Sequence, residues 1–195
     1  LKVGVAASLV GTVVAELTKS EDGGFGARLL AGSYYGQTIQ IWAALFAAAC
    51  EVGPIIANKG KAEQSACRSY GTNLGIAFQL IDDALDYGGV ASKLGKNTGD
   101  DFREGKITLP VVLSYRRGND SERAFWKRAL EEGQHGDAEL AEAMTIMKKH
   151  RAIEDTIERA RHYGAMARDA LAIFADTPMK RSMVEAVDFC ISRAH

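Results

Sequence analysis

The stretch from Phe78 to Asp86 constrains the fold of this chain most, because it sets acidic residues at a helical period. Gln79, Asp82, Asp83 and Asp86 follow the spacing i, i+3, i+4, i+7, which places them along one side of an α-helix. The residues between them are apolar, as in a helix suited to a core. Burying carboxylates together without partners costs a great deal of free energy. We therefore expect this acidic stripe to face water, basic residues or metal ions.

The remainder of the chain predicts an all-α fold in one domain, residues 1–195. Helix-forming residues are abundant, proline occurs only three times, and no alternating strand pattern competes. Loops are predicted where the chain is irregular or rich in glycine, at 18–37 and 87–105. The predicted helices cover 3–17, 38–52, about 61–86, 108–117, 120–132, 137–149, 151–175 and 178–193. The helix at 38–52 is apolar all round, which suits a core or a subunit contact, and should end near Gly53 and Pro54.

The overall charge and the cysteines exclude several classes of function. The formal net charge of −1 gives no electrostatic reason to bind nucleic acid or an anionic membrane. No segment is a convincing membrane span or targeting sequence, so we do not expect the protein to require a membrane. The three cysteines are far apart and lack CxxC spacing, which argues against a zinc site and a disulfide scaffold. This usage fits a reducing compartment, and we expect a cytoplasmic protein.

Charged residues of both signs follow the acidic stripe. Lys96 and Lys106 each come after a glycine, and Asp100 and Asp101 lie between them. This set suits Mg²⁺ bridging carboxylates to a phosphorylated ligand, because Mg²⁺ completes its shell with water and phosphate oxygens and lysine supplies a point charge. A P-loop does not fit, since the glycine spacing is wrong and Ile107 stands where Ser or Thr is needed. An EF-hand does not fit because its alternating ligands are missing.

Three motifs together carry a resemblance to a known family. They are Phe78-Gln79-x-x-Asp82-Asp83-x-x-Asp86, then Gly95-Lys96-x-x-Gly99-Asp100-Asp101, then Gly105-Lys106-x-Thr108-x-Pro110. In this order they resemble the second aspartate-rich motif of trans-polyprenyl diphosphate synthases, in particular the long-chain octaprenyl and decaprenyl type. The resemblance runs from about residue 43 to the C-terminus, whereas residues 1–42 diverge.

This resemblance implies an isoprenoid synthase fold and a transfer reaction. In the family, two aspartate-rich motifs face each other across a central cavity and hold Mg²⁺ on the diphosphate of an allylic substrate. The diphosphate leaves and isopentenyl diphosphate attacks the carbocation, which in long-chain members extends a polyprenyl diphosphate for quinone side chains. The resemblance also implies a homodimer or a complex with a partner prenyl synthase subunit.

The same resemblance assigns roles to residues of this chain. The metal ligands would be the carboxylates of the stripe: Asp82, Asp83 and Asp86. The substrate contacts would be side chains that meet the allylic substrate and its diphosphate: Gln79, Lys96 and Lys106. The catalytic residues would be Asp82, Asp83 and Lys96. Asp100 would order metal-bound water.

The first aspartate-rich motif of the family is missing from this sequence. Only isolated acids precede Gly60: Glu16, Glu21, Asp22 and Glu51. A Lys-Thr pair expected just before Ala43 is replaced by Ile41 and Trp42. Three explanations stay open: a fragment that lacks its N-terminal half, a divergent or mistranslated segment joined to a normal C-terminal half, and a subunit that has lost catalysis.

Two functions follow from these observations. The intact second motif favours a prenyltransferase of which this chain, incomplete at its N-terminus, holds only the second half of the site. The missing first motif and the Ile41-Trp42 pair favour a non-catalytic prenyl-synthase-like subunit that acts as an interaction partner. With half of the metal-binding set, these residues alone should have negligible chain-elongating activity.

Overall fold

The computed structural model describes residues 38–88 and 98–193, and every regular element within these ranges is helical. The helices are α1 (Thr38–Ile56), α2 (Lys61–Tyr87), α3 (Asp100–Arg103), α4 (Leu109–Arg117), α5 (Asp120–Glu131), α6 (Asp137–Lys149), α7 (Ala152–Ala170) and α8 (Pro178–Ser192). A 3-10 turn, Leu171–Ile173, follows α7. The all-α prediction is confirmed for this part of the chain. The helix predicted at 3–17 and the loop at 18–37 lie outside the described residues.

Helices α1 and α2 form a tight hairpin. They approach so closely that a Cβ atom on Gly71 would lie 2.3 Å from the carbonyl oxygen of Phe46, and one on Gly75 would lie 2.6 Å from that of Trp42. The rings of Phe46 and Trp42 also pack on Phe78 of α2, with centroids 5.6 and 5.2 Å away. Backbone contact at the two glycines therefore sets the register of the hairpin, because any side chain there would push the helices apart.

The structure corrects the predicted end of α1. The helix continues through Gly53 and Pro54 to Ile56. The missing amide of Pro54 removes only one hydrogen bond near the end of the helix, so the chain tolerates it there. None of the residues of α1 is fully buried, and Ile55 and Ile56 are exposed. Among the described helices, α1 alone has the length and apolar composition to cross a membrane, a test that core helices of soluble proteins also pass.

Helix α2 lies at the centre of the described fold and contacts α1, α4, α7 and α8. Leu80, Ile81 and Leu85 pack against Ala160 of α7, and each is less than 9 % exposed. Full burial of an apolar side chain of this size contributes roughly 1.5–3 kcal/mol. The acidic stripe therefore stands on a helix that packing holds firmly in place.

A second core encloses Trp126 and is built from α3 to α6. Phe102 of α3, Trp126 of α5 and Met147 of α6 are fully buried. The ring of Phe102 meets that of Trp126 edge to face, with centroids 6.3 Å apart. Phe102 thus anchors α3, a helix of only one turn, against the larger elements. This short helix lies within the segment at 87–105 that we predicted to be a loop, so the prediction was wrong there.

Most later helix boundaries agree with prediction, because local capping residues set them. The helices predicted at 137–149 and 178–193 are found as α6 and α8. Thr177 caps α8, since its hydroxyl accepts a hydrogen bond from the amide of Lys180 at 3.2 Å. Thr108 occupies the N-cap position of α4 without such a bond. The helix predicted at 151–175 is shorter than expected, because α7 ends at Ala170. The chain then tightens into the 3-10 turn, in which Leu171 is buried.

Glu122 ties the start of α5 to the end of α6. It completes a capping box with Asn119. Its carboxylate also lies 2.6 Å from Nζ of Lys149 and 3.0 Å from Nε2 of His150. The hydrogen bond from Lys149, followed by that from His150, lowers the pKa of Glu122 to about 2.

Replacing Glu122 by glutamine is expected to lower the melting temperature at neutral pH, since the charge that Lys149 and His150 meet is lost. The pKa of Glu122 is lower in the folded chain than its ordinary value of 4.5, so its stabilisation is present above that value and is lost as the pH falls towards 2. Thermal melts of both proteins at a series of pH values check this. The difference in Tm should shrink in acid, and a constant difference would contradict the assignment.

Candidate active site at the junction of two helices

Asp86 ties the C-terminal end of α2 to the start of α3. Its carboxylate oxygens accept hydrogen bonds from the backbone amides of Asp100 at 3.2 Å and Asp101 at 3.1 Å. Its carbonyl oxygen accepts a third from the amide of Gly99 at 2.9 Å. Gly99 has a φ of +81°, which glycine adopts without strain. Three consecutive amides thus converge on one aspartate, which explains why glycine precedes the two acids.

Asp83 is buried, with only 2 % of its surface exposed. It accepts a hydrogen bond of 2.6 Å from Nε2 of Gln79, one helical turn earlier. Burial raises the pKa of Asp83 to about 6, against the lowering effect of this bond, and the charge of Asp101 raises it further. Asp83 therefore does not face water, and whether it faces a metal ion stays a prediction. This carboxylate of the stripe is paired with a neutral amide because Gln79 brings a donor into the core.

The carboxylates at this junction repel one another. Burial, and next the charge of Asp101, raise the pKa of Asp86 to about 6, although the amides of Asp101 and Asp100 act in the opposite direction. The same Asp101 acts on Asp83. Such a group of partly buried carboxylates favours a cation, which relieves the repulsion.

Lys106 brings a positive charge to the junction. Its ammonium lies 2.9 Å from Oδ1 of Asp101 and 2.7 Å from Oε2 of Glu104. The hydrogen bonds to Glu104 and Asp101 raise the pKa of Lys106 above its usual range, so it stays charged at neutral pH. With 49 % of its side chain exposed, it is able to exchange a carboxylate partner for a phosphate oxygen. Lys96, the other lysine predicted to bind substrate, lies outside the described residues.

Asp82, one of the carboxylates of the stripe, lies near Arg193 at the C-terminal end of the described residues. Nη2 of Arg193, just after α8, lies 3.9 Å from its Oδ1. The guanidinium of Arg193 also stands over the ring of Phe78, 5.3 Å from its centroid. The side chain of Asp82 is 37 % exposed. A cation or a charged ligand can therefore approach Asp82 more easily than it can approach buried Asp83.

The carboxylates described above are the type of ligand that Mg²⁺ prefers in proteins, because this ion binds oxygen atoms. Among residues 38–88 and 98–193, however, no three His, Cys, Asp or Glu side chains form a group that could hold a metal ion. Asp83 is bound to Gln79, and both carboxylate oxygens of Asp86 already accept amides. Mg²⁺ commonly takes one or two carboxylates and fills its shell with water and phosphate oxygens, and Asp82, whose side chain is 37 % exposed, stays a predicted ligand.

Residues 32–147 match the family model of the polyprenyl synthetases. The chain belongs to the polyprenyl synthetase family. Octaprenyl diphosphate synthase from Haemophilus influenzae is 36% identical over 151 residues, which cover 77% of this chain and 46% of that protein. The Escherichia coli enzyme of the same name is 35% identical over the same length. This polyprenyl synthetase chain thus spans about half the length of the curated relatives it matches.

Solved structures place this polyprenyl synthetase in the same fold. A decaprenyl diphosphate synthase from Rhodobacter capsulatus superposes with a TM-score of 0.81 at 36% identity, covering 94% of this chain and 60% of that one. A polyprenyl synthase from Caulobacter crescentus, solved with calcium and isoprenyl diphosphate, gives a TM-score of 0.74 at 42% identity, covering 81% and 49%. The predicted family and its isoprenoid synthase fold are confirmed. The boundary that we predicted at residue 42 stays a prediction.

The structure places most of the predicted site residues on α2, in α3 or just after α3: Gln79, Asp82, Asp83, Asp86, Asp100 and Lys106. Their roles as ligands and catalytic groups stay predictions. Sequence reasoning missed Arg193, which reaches Asp82 from the far end of the chain. Its only signal in the sequence is a basic residue at the end of an amphipathic helix. It also missed Asp101 as the partner of Lys106, although the paired acids of the motif offered that signal.

Proposed function

We propose that this chain supplies the second aspartate-rich half of a prenyltransferase site, which condenses isopentenyl diphosphate with an allylic prenyl diphosphate. The observation that carries the proposal is the clustering of the carboxylate stripe and Lys106 in a member of the polyprenyl synthetase family. Relatives named octaprenyl and decaprenyl diphosphate synthase support a long-chain product. The neighbour solved with calcium and isoprenyl diphosphate supports a divalent cation and such a diphosphate as ligands.

In this proposal each side chain has a separate task. Asp82 offers an accessible oxygen to a cation on the substrate diphosphate, and Mg²⁺ bound there supplies Lewis-acid stabilisation of the departing anion. Lys106 exchanges Glu104 or Asp101 for a phosphate oxygen. Asp83 is already held by Gln79, and Asp86 by the amides of α3. These two carboxylates therefore need to move little when substrate binds.

The carboxylates that face this half-site in the family have no counterpart in the first 60 residues of the sequence. We therefore propose that a complete site needs carboxylates from outside these residues, either from further residues of the same protein or from a partner synthase subunit in the cytoplasm. The same observation favours a second candidate function, a non-catalytic prenyl-synthase-like subunit. That candidate differs in requiring no Mg²⁺-dependent binding of diphosphate.

Two measurements on the purified chain separate these possibilities. Incubation with labelled isopentenyl diphosphate, an allylic primer and Mg²⁺ should give negligible product, because half of the carboxylates are missing. Titration calorimetry with inorganic diphosphate should show binding that requires Mg²⁺. Robust product would contradict the half-site, whereas absence of any Mg²⁺-dependent binding would favour the non-catalytic subunit.

A further inference from the structure

The α1–α2 hairpin has a regular register that can be followed from turn to turn. Its closest contacts join Trp42 to Gly75 and Phe46 to Gly71. Each step moves four residues forward along α1 and four residues back along α2, which is about one helical turn on each helix. The register therefore predicts which residues face each other on the neighbouring turns.

The next step towards the connecting residues 57–60 places Cys50 opposite Cys67. The two helices are still in contact at this level, because Glu51 and Arg68 form an ion pair of 2.7 Å. The short connection between the helices also holds them together here, since each cysteine is seven residues from its end of the connection. The register thus places two cysteines that lie apart in the sequence at the same level of one helix interface.

Both thiols are free, and they differ in exposure. Cys67 is buried, whereas Cys50 is only partly buried. Burial, and next the neighbouring Cys67, raise the pKa of Cys50 to about 11. The influence of one thiol on the other is a sign of proximity that agrees with the register. Cys190, the third cysteine, packs beside Tyr70 in the cluster between α2, α7 and α8.

We propose that Cys50 and Cys67 are a modification site, at which a low-molecular-weight disulfide such as oxidised glutathione converts them into a reversible bond that staples α1 to α2. A disulfide needs Cα atoms roughly 4.4–6.8 Å apart. Because the backbones of the two helices approach closely one and two turns away, we expect the Cα atoms of Cys50 and Cys67 to lie in this range. The pair could not be expected from the sequence alone, because neither CxxC spacing nor an even cysteine count signals it.

The chemistry balances as a thiol–disulfide exchange. The thiolate of Cys50, the more exposed of the two, attacks one sulfur of oxidised glutathione and releases a glutathione thiolate. The thiolate of Cys67 then attacks the sulfur of Cys50 in this mixed disulfide and releases the second glutathione. The protein loses two electrons and two thiol protons, and one molecule of oxidised glutathione takes them up and becomes two molecules of reduced glutathione.

Oxidation of the full chain with oxidised glutathione under native conditions tests the proposal. Free thiols are then alkylated and the digest is mapped by mass spectrometry. We expect a peptide that links Cys50 to Cys67, with Cys190 alkylated. Closing this loop restricts the unfolded chain, so Tm should rise by about 5–10 °C and return when dithiothreitol is added.

Matched variants make the assignment specific. Cys50→Ser and Cys67→Ser should each abolish the linked peptide and the rise in Tm, whereas Cys190→Ser should keep both. If a serine variant does not fold, the peptide map of the wild-type chain decides by itself. The proposal is overturned if all three thiols stay free at equilibrium, if only mixed disulfides with glutathione form, or if non-reducing gels show bonds between chains.

Discussion

Asp82→Ala is expected to weaken Mg²⁺-dependent binding of inorganic diphosphate by at least about 100-fold. Removing a residue that only supports a metal ligand typically costs 10- to 100-fold in affinity, so the loss of a direct ligand should reach the upper end of this range. Asp82 is the accessible carboxylate of the stripe, whereas Asp83 and Asp86 are held by Gln79 and by backbone amides. Titration calorimetry with and without Mg²⁺ measures the effect.

Asp176→Ala is the matched control for this variant. Asp176 is an exposed aspartate that also lies next to an arginine, because its Oδ2 is 2.9 Å from Nη1 of Arg181. An exposed pair of this kind is worth little, so diphosphate binding should not change. Circular dichroism should show that both variants are folded. If Asp82→Ala binds as tightly as Asp176→Ala, Asp82 is not a metal ligand.

Gly71→Ala is expected to destabilise the fold by at least about 3 kcal/mol, which for a chain of this size lowers Tm by roughly 6–12 °C. The new Cβ would lie 2.3 Å from the carbonyl oxygen and 2.7 Å from the carbonyl carbon of Phe46. Because these are backbone atoms, no side-chain rotation can make room, and α1 must move away from α2. Thermal or denaturant unfolding measures the change.

Gly53→Ala makes the same substitution on the other helix of the hairpin, at a place without crowding. Apart from its two neighbours in the chain, nothing lies within 4 Å of a Cβ atom on Gly53. Alanine in a helix is favoured over glycine by roughly 0.5–1 kcal/mol, but the ring of Pro54 disfavours a helical residue with a Cβ before it, so this variant should change stability little. Equal effects of the two variants would show that helix propensity, and not the contact with α1, determines the result.

The sequence predicted the helices well where local signals set their ends. Thr177 and the glycine after α4 mark boundaries that depend on a few neighbouring residues. The sequence failed at Pro54, because the missing amide of proline removes only one hydrogen bond near the end of the helix and the helix continues to Ile56. It also failed at α3, because the turn that starts this helix needs the carboxylate of Asp86 from another element.

In the candidate site, too, some features follow from neighbouring residues, whereas others depend on residues that are distant in the sequence. The period of the acidic stripe follows from spacing alone, and the structure places its members on one helix as predicted. The different surroundings of Asp82, Asp83 and Asp86 do not follow from spacing, since they depend on Arg193 and on α3. The two glycines of α2 at positions four residues apart did carry a usable signal, because glycines at this spacing within a helix allow a close neighbour.

Asp86 also determines how freely the site can vary around it. The chain leaves α2 at this residue and returns to it thirteen residues later, where Gly99 donates to its carbonyl oxygen. Both ends of the intervening segment are thus fastened to one residue. Insertions within that segment are expected to cost little loop-closure entropy, because this cost grows slowly with length. Changes of length there should therefore leave α2, α3 and the acidic stripe in place.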